Sequence, residues 1–240
     1  ELSLISHELK KIDYPDLQEQ AIVALSSILR SVSNAHPDFG NLMVDKNRRY
    51  IMDAFERFER ALLKLIKASV EFSKSASDAD VKIYQGDARS LSFIDSNIID
   101  LIISHPPYIA SVPYAEYLKL SLMWLRATFK NEVEYNLMLP GELDKEIIGG
   151  RRDDPRVVER YLNDIRKVFF EMARILKNRR YACVVIGNPV AFGKIVPLNK
   201  IFVETGREVG LNLVKEIKRA KYQTTMGKMK EEFILIFEKQ

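Results

Sequence analysis

One short segment joins residue types suited to binding a polar ligand. Ser104-His105-Pro106-Pro107-Tyr108 combines a hydroxyl, an imidazole, a proline pair and an aromatic ring. Each proline fixes φ and removes a backbone donor. The carbonyl of His105 or Pro106 then stands on a rigid turn and can be aimed at a ligand amino group. Tyr108 offers a flat face on which a base could stack. Proline after a strand is also ordinary punctuation, and the residues alone leave both readings open. Gly86-Asp87 and Gly187-Asn188-Pro189 are two further segments of the same kind, each closing an apolar stretch.

The elements that must position these segments follow from periodicity. Ile98-Ile99-Asp100-Leu101-Ile102-Ile103 is a nearly continuous apolar run, expected for a strand buried on both faces. Val81–Tyr84 reads as a short strand ending in Gly86-Asp87, and Tyr181–Ile186 as another buried strand. A helix is expected from Tyr114 to about Arg126, and an amphipathic helix from Val157 to Leu176. The stripe of the latter is Tyr161, Leu162, Ile165, Val168, Phe169, Met172 and Ile175, with Lys177 to Arg180 as a basic stop. Leu198 to Val209 reads as helix closed by Gly210. Leu211–Ile217 and Glu232–Phe237 read as late strands that could pair antiparallel at one edge. Strands alternating with helices indicate an α/β fold with a mainly parallel sheet. In such sheets ligands bind outside the carboxyl ends of the strands, so the three segments are expected on one rim.

Residues 1–77 read differently. Ile22, Leu25, Ile28, Leu29 and Val32 form one helical stripe, and Phe55, Phe58, Leu62, Leu65 and Ile66 form a second. A turn-rich connection, residues 33–41, lies between them. The chain is therefore expected to hold a helical segment at 1–77 and an α/β part at 78–240, with a polar insertion at about 130–156.

Composition narrows the function classes. The chain of 240 residues is 47% hydrophobic, which excludes a disordered chain. No uncharged apolar run approaches the roughly 18 residues that span a bilayer, and residues 1–20 lack the apolar core of a signal peptide, so a cytoplasmic protein is expected. A single cysteine, Cys183, excludes a disulfide framework and a multi-cysteine zinc site. His7, His36 and His105 show no metal-ligand spacing, so no metal is expected. A net charge of +4 permits nucleic-acid binding without requiring it.

Ile-Asp-Leu-Ile-Ile-Ser-His-Pro-Pro-Tyr resembles the catalytic motif of S-adenosylmethionine-dependent amino-methyltransferases, which methylate adenine N6 or cytosine N4 in DNA. Gly86-Asp87-Ala88-Arg89 is similar to their segment for the cofactor adenine. Lys-Asn-Arg-Arg-Tyr-Ala-Cys-Val-Val-Ile-Gly and Glu-Glu-Phe-Ile-Leu-Ile-Phe resemble their fifth and final strands, so the resemblance covers about residues 81–240. It implies a Rossmann-like methyltransferase sheet, incomplete in this chain, that binds S-adenosylmethionine and DNA. It also implies that Ser104, His105, Pro106, Pro107 and Tyr108 are catalytic, and that Gly86, Asp87 and Ala88 contact the cofactor. His105 stands where the family has Asp, Asn or Ser, unless Ser104 takes that place by a one-residue shift. In the family this residue accepts from the target amino group, and a neutral imidazole can do so.

The family's glycine-rich turn and the acidic residue for the cofactor ribose have no counterpart here. Either this half lies upstream of Glu1, as the order of motifs implies, or another chain carries it, or the sheet is rearranged. Arg151 and Arg152, with Arg156, are candidate phosphate contacts in the insertion, although Asp153 and Asp154 beside them fit a solvated charged loop equally. Tyr114 and Tyr117 could line a base pocket or be core. Lys215, Lys218, Arg219 and Lys221 read as a solvated edge, Asn188 as a site candidate, and Cys183 and Trp124 as core. Two alternatives accompany the DNA reading. One is an RNA guanine amino-methyltransferase, whose relatives carry Asp before the prolines. The other is a catalytically silent nucleic-acid-binding subunit that completes a partner's site.

Overall fold

The chain divides into two compact units, residues 1–82 with 113–143, and residues 83–112 with 144–240. The computed structural model describes residues 1–36, 42–47, 52–76, 78–109, 114–129, 147–149, 155–219 and 231–240.

The helical unit holds α1 (Leu2–Leu9), α2 (Pro15–Ile28), α3 (Ala54–Ser75) and α4 (Tyr114–Phe129). Pro15 opens α2, where its missing N–H costs nothing. Asp53 caps α3 by accepting the N–H of Glu56 at 2.8 Å. Ile22, Leu25, Ile28, Leu29 and Val32 are all buried, as their spacing predicts. Leu120, Trp124 and Leu125 of α4 pack against this core, and the Trp124 indole donates to the Ser6 hydroxyl at 3.3 Å. The second stripe is covered only in part. Phe58 and Leu62 reach the core, while Phe55 and Ile66 are exposed. Ala54, Phe58, Ala61 and Leu62 make the face that meets the core, and Phe55 and Ile66 lie off that face.

The second unit is an open, mixed α/β sheet. Its strands are β1 (Ile99–Ser104), β2 (Leu176–Gly187), β5 (Leu211–Arg219) and β6 (Glu232–Lys239), in the order β1-β2-β6-β5. β1 and β2 are parallel, and β6 runs antiparallel to both β2 and β5. A small hairpin, β3 (Val190–Ala191) with β4 (Lys194–Ile195), follows β2. Helix α5 (Val157–Ile175) precedes β2, and α6 (Leu198–Glu208) precedes β5.

Alternation explains which face is covered. Ala182, Val184 and Ile186 of β2 lie opposite Phe237, Leu235 and Phe233 of β6, and all are buried. Ile165, Phe169 and Met172 of α5 and Leu198 and Phe202 of α6 join them in one core. Phe169 meets Phe202 and Phe237 edge-on, at centroid distances of 5.3 and 5.6 Å, the arrangement aromatic quadrupoles favour.

Four expectations change. The sheet is not mainly parallel, since of its three strand pairs among the described residues only β1–β2 is parallel. Val81–Tyr84 is not a strand: these residues pair with nothing in the sheet and are exposed. The sheet ends at β1, so the apolar residues of that segment have no ladder to join. β1 is a strand but is not buried on both faces, since Leu101 is 53% and Ile103 75% exposed. Lys177 to Arg180 do not stop the helix before the strand. They belong to β2, where Arg179 adopts φ 59° within a register shift, and Lys177 and Arg180 reach Asp100 at 2.9 and 3.0 Å. Among the described residues no helix is long and apolar enough to cross a membrane.

Candidate functional site

Register places the rim. Ser104 at the end of β1 pairs with Val184, three residues before Gly187 closes β2. Gly187 lies opposite Glu232, and Glu232 opposite Arg219 at the end of β5. The carboxyl ends of β1, β2 and β5 therefore share one rim with the start of β6. His105-Pro106-Pro107-Tyr108 leaves the sheet there, with His105 exposed, the prolines and Tyr108 half-buried, and Ile109 buried.

This segment is held from several sides. Ile109 enters the main core, and Tyr108 packs on its margin. Gly149 crosses above the backbone at φ 105°, where a Cβ would stand 3.0 Å from the Tyr108 carbonyl oxygen. Only a glycine reconciles that φ with that approach. The hydroxyl of Tyr108 lies 2.7 Å from Nε2 of His105 and donates to Oε1 of Glu232 at 3.0 Å. The two rings meet edge-on, 5.2 Å apart. Nη1 of Arg219 binds the other carboxylate oxygen of Glu232 at 3.0 Å.

Gly86-Asp87-Ala88 stands elsewhere. With no strand before it, this segment is not a strand end, and it is tied to α5 instead. The Asp87 carboxylate accepts from the Arg89 backbone N–H at 2.8 Å and from the Arg89 guanidinium at 2.7 to 3.0 Å. The Arg89 hydrogen bond holds the Asp87 carboxyl below the usual carboxylate range, against a smaller opposing effect of burial. Arg89 is raised in turn, first by Asp87, and also reaches Asp164 of α5 at 3.1 Å. Further along, Glu171 accepts the N–H of Leu91 at 2.6 Å, and Arg174 donates to the carbonyls of Leu91 and Ile94, each at 2.8 Å. Gly86 has a packing reason of its own, since a Cβ there would stand 2.6 Å from the Phe93 ring. The structure thus puts two of the three expected segments on the rim and gives the Asp87 carboxylate to Arg89.

The other candidates are placed as follows. Asn188 is buried and exchanges side-chain and backbone bonds with Asn199 at 3.0 and 3.1 Å, which fixes the first turn of α6 to the end of β2. Tyr114 opens α4 in the helical unit, and its side chain, like Arg151, Arg152 and Lys221, lies outside the described residues. Cys183 is half-buried on the sheet face opposite α5 and α6. Among the described residues no group of His, Cys, Asp and Glu is arranged to hold a metal ion.

Glu232 and Gly149 were not legible as site residues, because each gains its meaning from register or close approach. Glu232 could have been suspected as the first residue of a strand expected to start beside the rim. The hairpin turn Phe192-Gly193 is a further rim feature. Its φ values of 48° and 78° are those of a type I′ turn, with a phenylalanine where Asn or Gly is usual.

No protein-family model matches the chain, and no curated protein does. Solved structures do. TTHA0409 of Thermus thermophilus, a candidate DNA modification methylase solved with S-adenosyl-L-methionine, is 18% identical over 64% of this chain, with a TM-score of 0.38. PvuII DNA methyltransferase, cytosine-N4-specific, is 14% identical over 65% of this chain, with a TM-score of 0.39. A SAM-dependent methyltransferase of Methanosarcina mazei is 10% identical and covers 74% of this chain and 77% of its own, with a TM-score of 0.36. The chain covers 51% of TTHA0409 and 48% of the PvuII enzyme, about half of each.

Proposed function

We propose that this chain supplies the amino-group-binding part of an S-adenosylmethionine-dependent methyltransferase acting on a DNA base, at cytosine N4 or adenine N6. One observation carries the reading: His105-Pro106-Pro107-Tyr108 stands rigidly on the rim where β1 and β2 end. An exocyclic amino group is paired inside a duplex, so the base would be flipped out to reach this turn. The Pro106 carbonyl and a ring nitrogen of His105 would accept its hydrogens, building negative character on the nitrogen and fixing its plane. Tyr108 would supply the surface against which the base rests, and Ser104 would end the strand that delivers the turn. Catalysis of this kind is mostly alignment and electrostatics.

Bound S-adenosylmethionine supplies an electrophilic methyl group. The residues present do not make a whole site for it, because the Asp87 carboxylate is already bonded through both oxygens to Arg89. Gly86, Asp87 and Ala88 are kept in the proposal as one edge of a cofactor site. The glycine-rich part would come from another segment or chain that lies against β1. Arg151, Arg152 and Tyr114 are proposed to meet the DNA.

Transfer of labelled methyl groups to duplex DNA by the chain together with the part that carries the glycine-rich segment, followed by nucleoside mass spectrometry, tests this. N4-methylcytosine or N6-methyladenine is expected, and should disappear in His105→Ala and Tyr108→Ala. N2-methylguanosine in RNA would replace the DNA reading. The closed Asp87–Arg89 pair favours a second reading, in which the chain is a nucleic-acid-binding subunit without its own cofactor. The chain assembled with the part that carries the glycine-rich segment separates the two: methylation lost in His105→Ala and Tyr108→Ala supports the first reading, and methylation that survives both supports the subunit.

A further inference from the structure

His105, Tyr108, Glu232 and Arg219 form one chain of contacts across the rim, at 2.7, 3.0 and 3.0 Å. Proton counting gives it a direction. A carboxylate only accepts, and a tyrosine hydroxyl has one proton to give. Glu232, paired with Arg219 through Oε2, takes the Tyr108 proton on Oε1. The contact between Tyr108 and Nε2 of His105 must then be donated by the imidazole. In a neutral ring with a proton on Nε2, Nδ1 keeps the lone pair.

We propose that Glu232 is a positioning residue which, through the Tyr108 hydroxyl, sets His105 as the Nε2–H tautomer and leaves Nδ1 as its acceptor. Glu232 touches no reacting atom. It acts from the start of β6, where register sets it opposite Gly187 of β2 and Arg219 of β5. The tautomer follows from the contacts alone. Its use, to accept a hydrogen from a target amino group, rests on the function proposed above.

Glu232→Gln makes the sharpest test, because an amide NH2 can donate where the carboxylate could not. Tyr108 would then accept from Gln and donate to Nε2, moving the imidazole proton to Nδ1. Ring-nitrogen NMR of the full chain, labelled in its histidines, reads this directly at a pH where the ring is neutral. Comparison with His105→Ala identifies the signal of His105 against His7 and His36. The wild type is expected as Nε2–H, Glu232→Gln as Nδ1–H, and Tyr108→Phe as a mixture. Unchanged methyl signals of Val184, Ile186 and Leu235, buried in the core of the same unit, show that the variants fold. An Nδ1–H tautomer in the wild type overturns the proposal, and so does a tautomer that neither substitution moves. In a methylation assay, Glu232→Gln should lower kcat by at least about tenfold with KM little changed. A tautomer that responds, in a chain that methylates nothing even when assembled with the part that carries the glycine-rich segment, upholds the relay and removes the proposed function. Methylation with an unresponsive tautomer does the reverse.

Discussion

Segments 86–98 and 104–109 include the residues proposed above for cofactor and target, and the protein holds them by different means. The first has no strand behind it. It is tied to α5 by charged side chains, Arg89 to Asp164 at 3.1 Å and Glu171 with Arg174 to the backbone of Leu91 and Ile94. The second is delivered by backbone pairing of β1 with β2, anchored by buried Ile109 and crossed by Gly149. Attachment by ion pairs answers to pH. Attachment by register and apolar burial does not. The aspartate of the first segment is accordingly spent on local structure, while the turn of the second keeps an exposed imidazole.

The largest effect should fall on the second segment. Ile109→Ala removes a fully buried side chain and should cost about 2–5 kcal/mol, read as a lower urea midpoint. It tests whether burial anchors this segment: a loss near zero would place the anchor in the hydrogen bonds of Tyr108 instead. Next, Glu171→Ala leaves the Leu91 N–H and the Arg174 guanidinium without their shared partner. A cost of about 1–3 kcal/mol is expected. Faster amide exchange should be confined to residues 86–98. Exchange that also rises at 104–109 would break the distinction between the two attachments.

Acid should separate the segments further. The Arg174 hydrogen bond holds the Glu171 carboxyl below its ordinary range, with help from the Leu91 N–H and against burial. Asp87 is lowered by Arg89 in the same sense. A carboxyl whose folded pKa is depressed contributes stability above its unfolded pKa, about 4.3 for Glu and 3.9 for Asp. That contribution is lost as pH falls through the folded value. Protection of residues 86–98 should therefore decline below about pH 4, before that of the β1–β2 ladder. In Glu171→Gln the decline should be shallower.

Much of the fold was readable because period and burial agreed. Tyr161, Ile165, Phe169 and Met172 sit on one helix face, and that face covers the sheet. β1, α4, α6 and the late antiparallel strands fall close to where apolar runs and Gly210 put them. Val81–Tyr84 failed for a physical reason, since a strand is defined by its neighbour and the ladder ends at β1. The Pro-Pro-Tyr turn could be found because prolines act locally. The partner of its tyrosine could not, because Glu232 lies 124 positions away and meets it only through the register of β2 with β6.

The smallest expected effect bears on β1 itself. Its sequence is that of a strand covered on both faces, and so are Ala182–Ile186 and Phe233–Phe237. In the structure α5 and α6 cover one face. Leu101 and Ile103, which pair with Tyr181 and Cys183, point to the other, and Ile103 is 75% exposed. β5, the opposite edge, instead carries Lys215, Glu216, Lys218 and Arg219, charges of the kind that blunt an edge. The two edges thus differ in kind, and β1 delivers the Pro-Pro-Tyr turn although its outward apolar atoms gain nothing here. Ile103→Lys should accordingly change the stability of this chain by no more than about 0.5 kcal/mol. It should also lower self-association, seen by sedimentation, because it breaks an exposed apolar patch. A clear loss of stability would mean that the outer face of β1 is covered in solution. In that case the second segment would depend on a packed layer as well as on register.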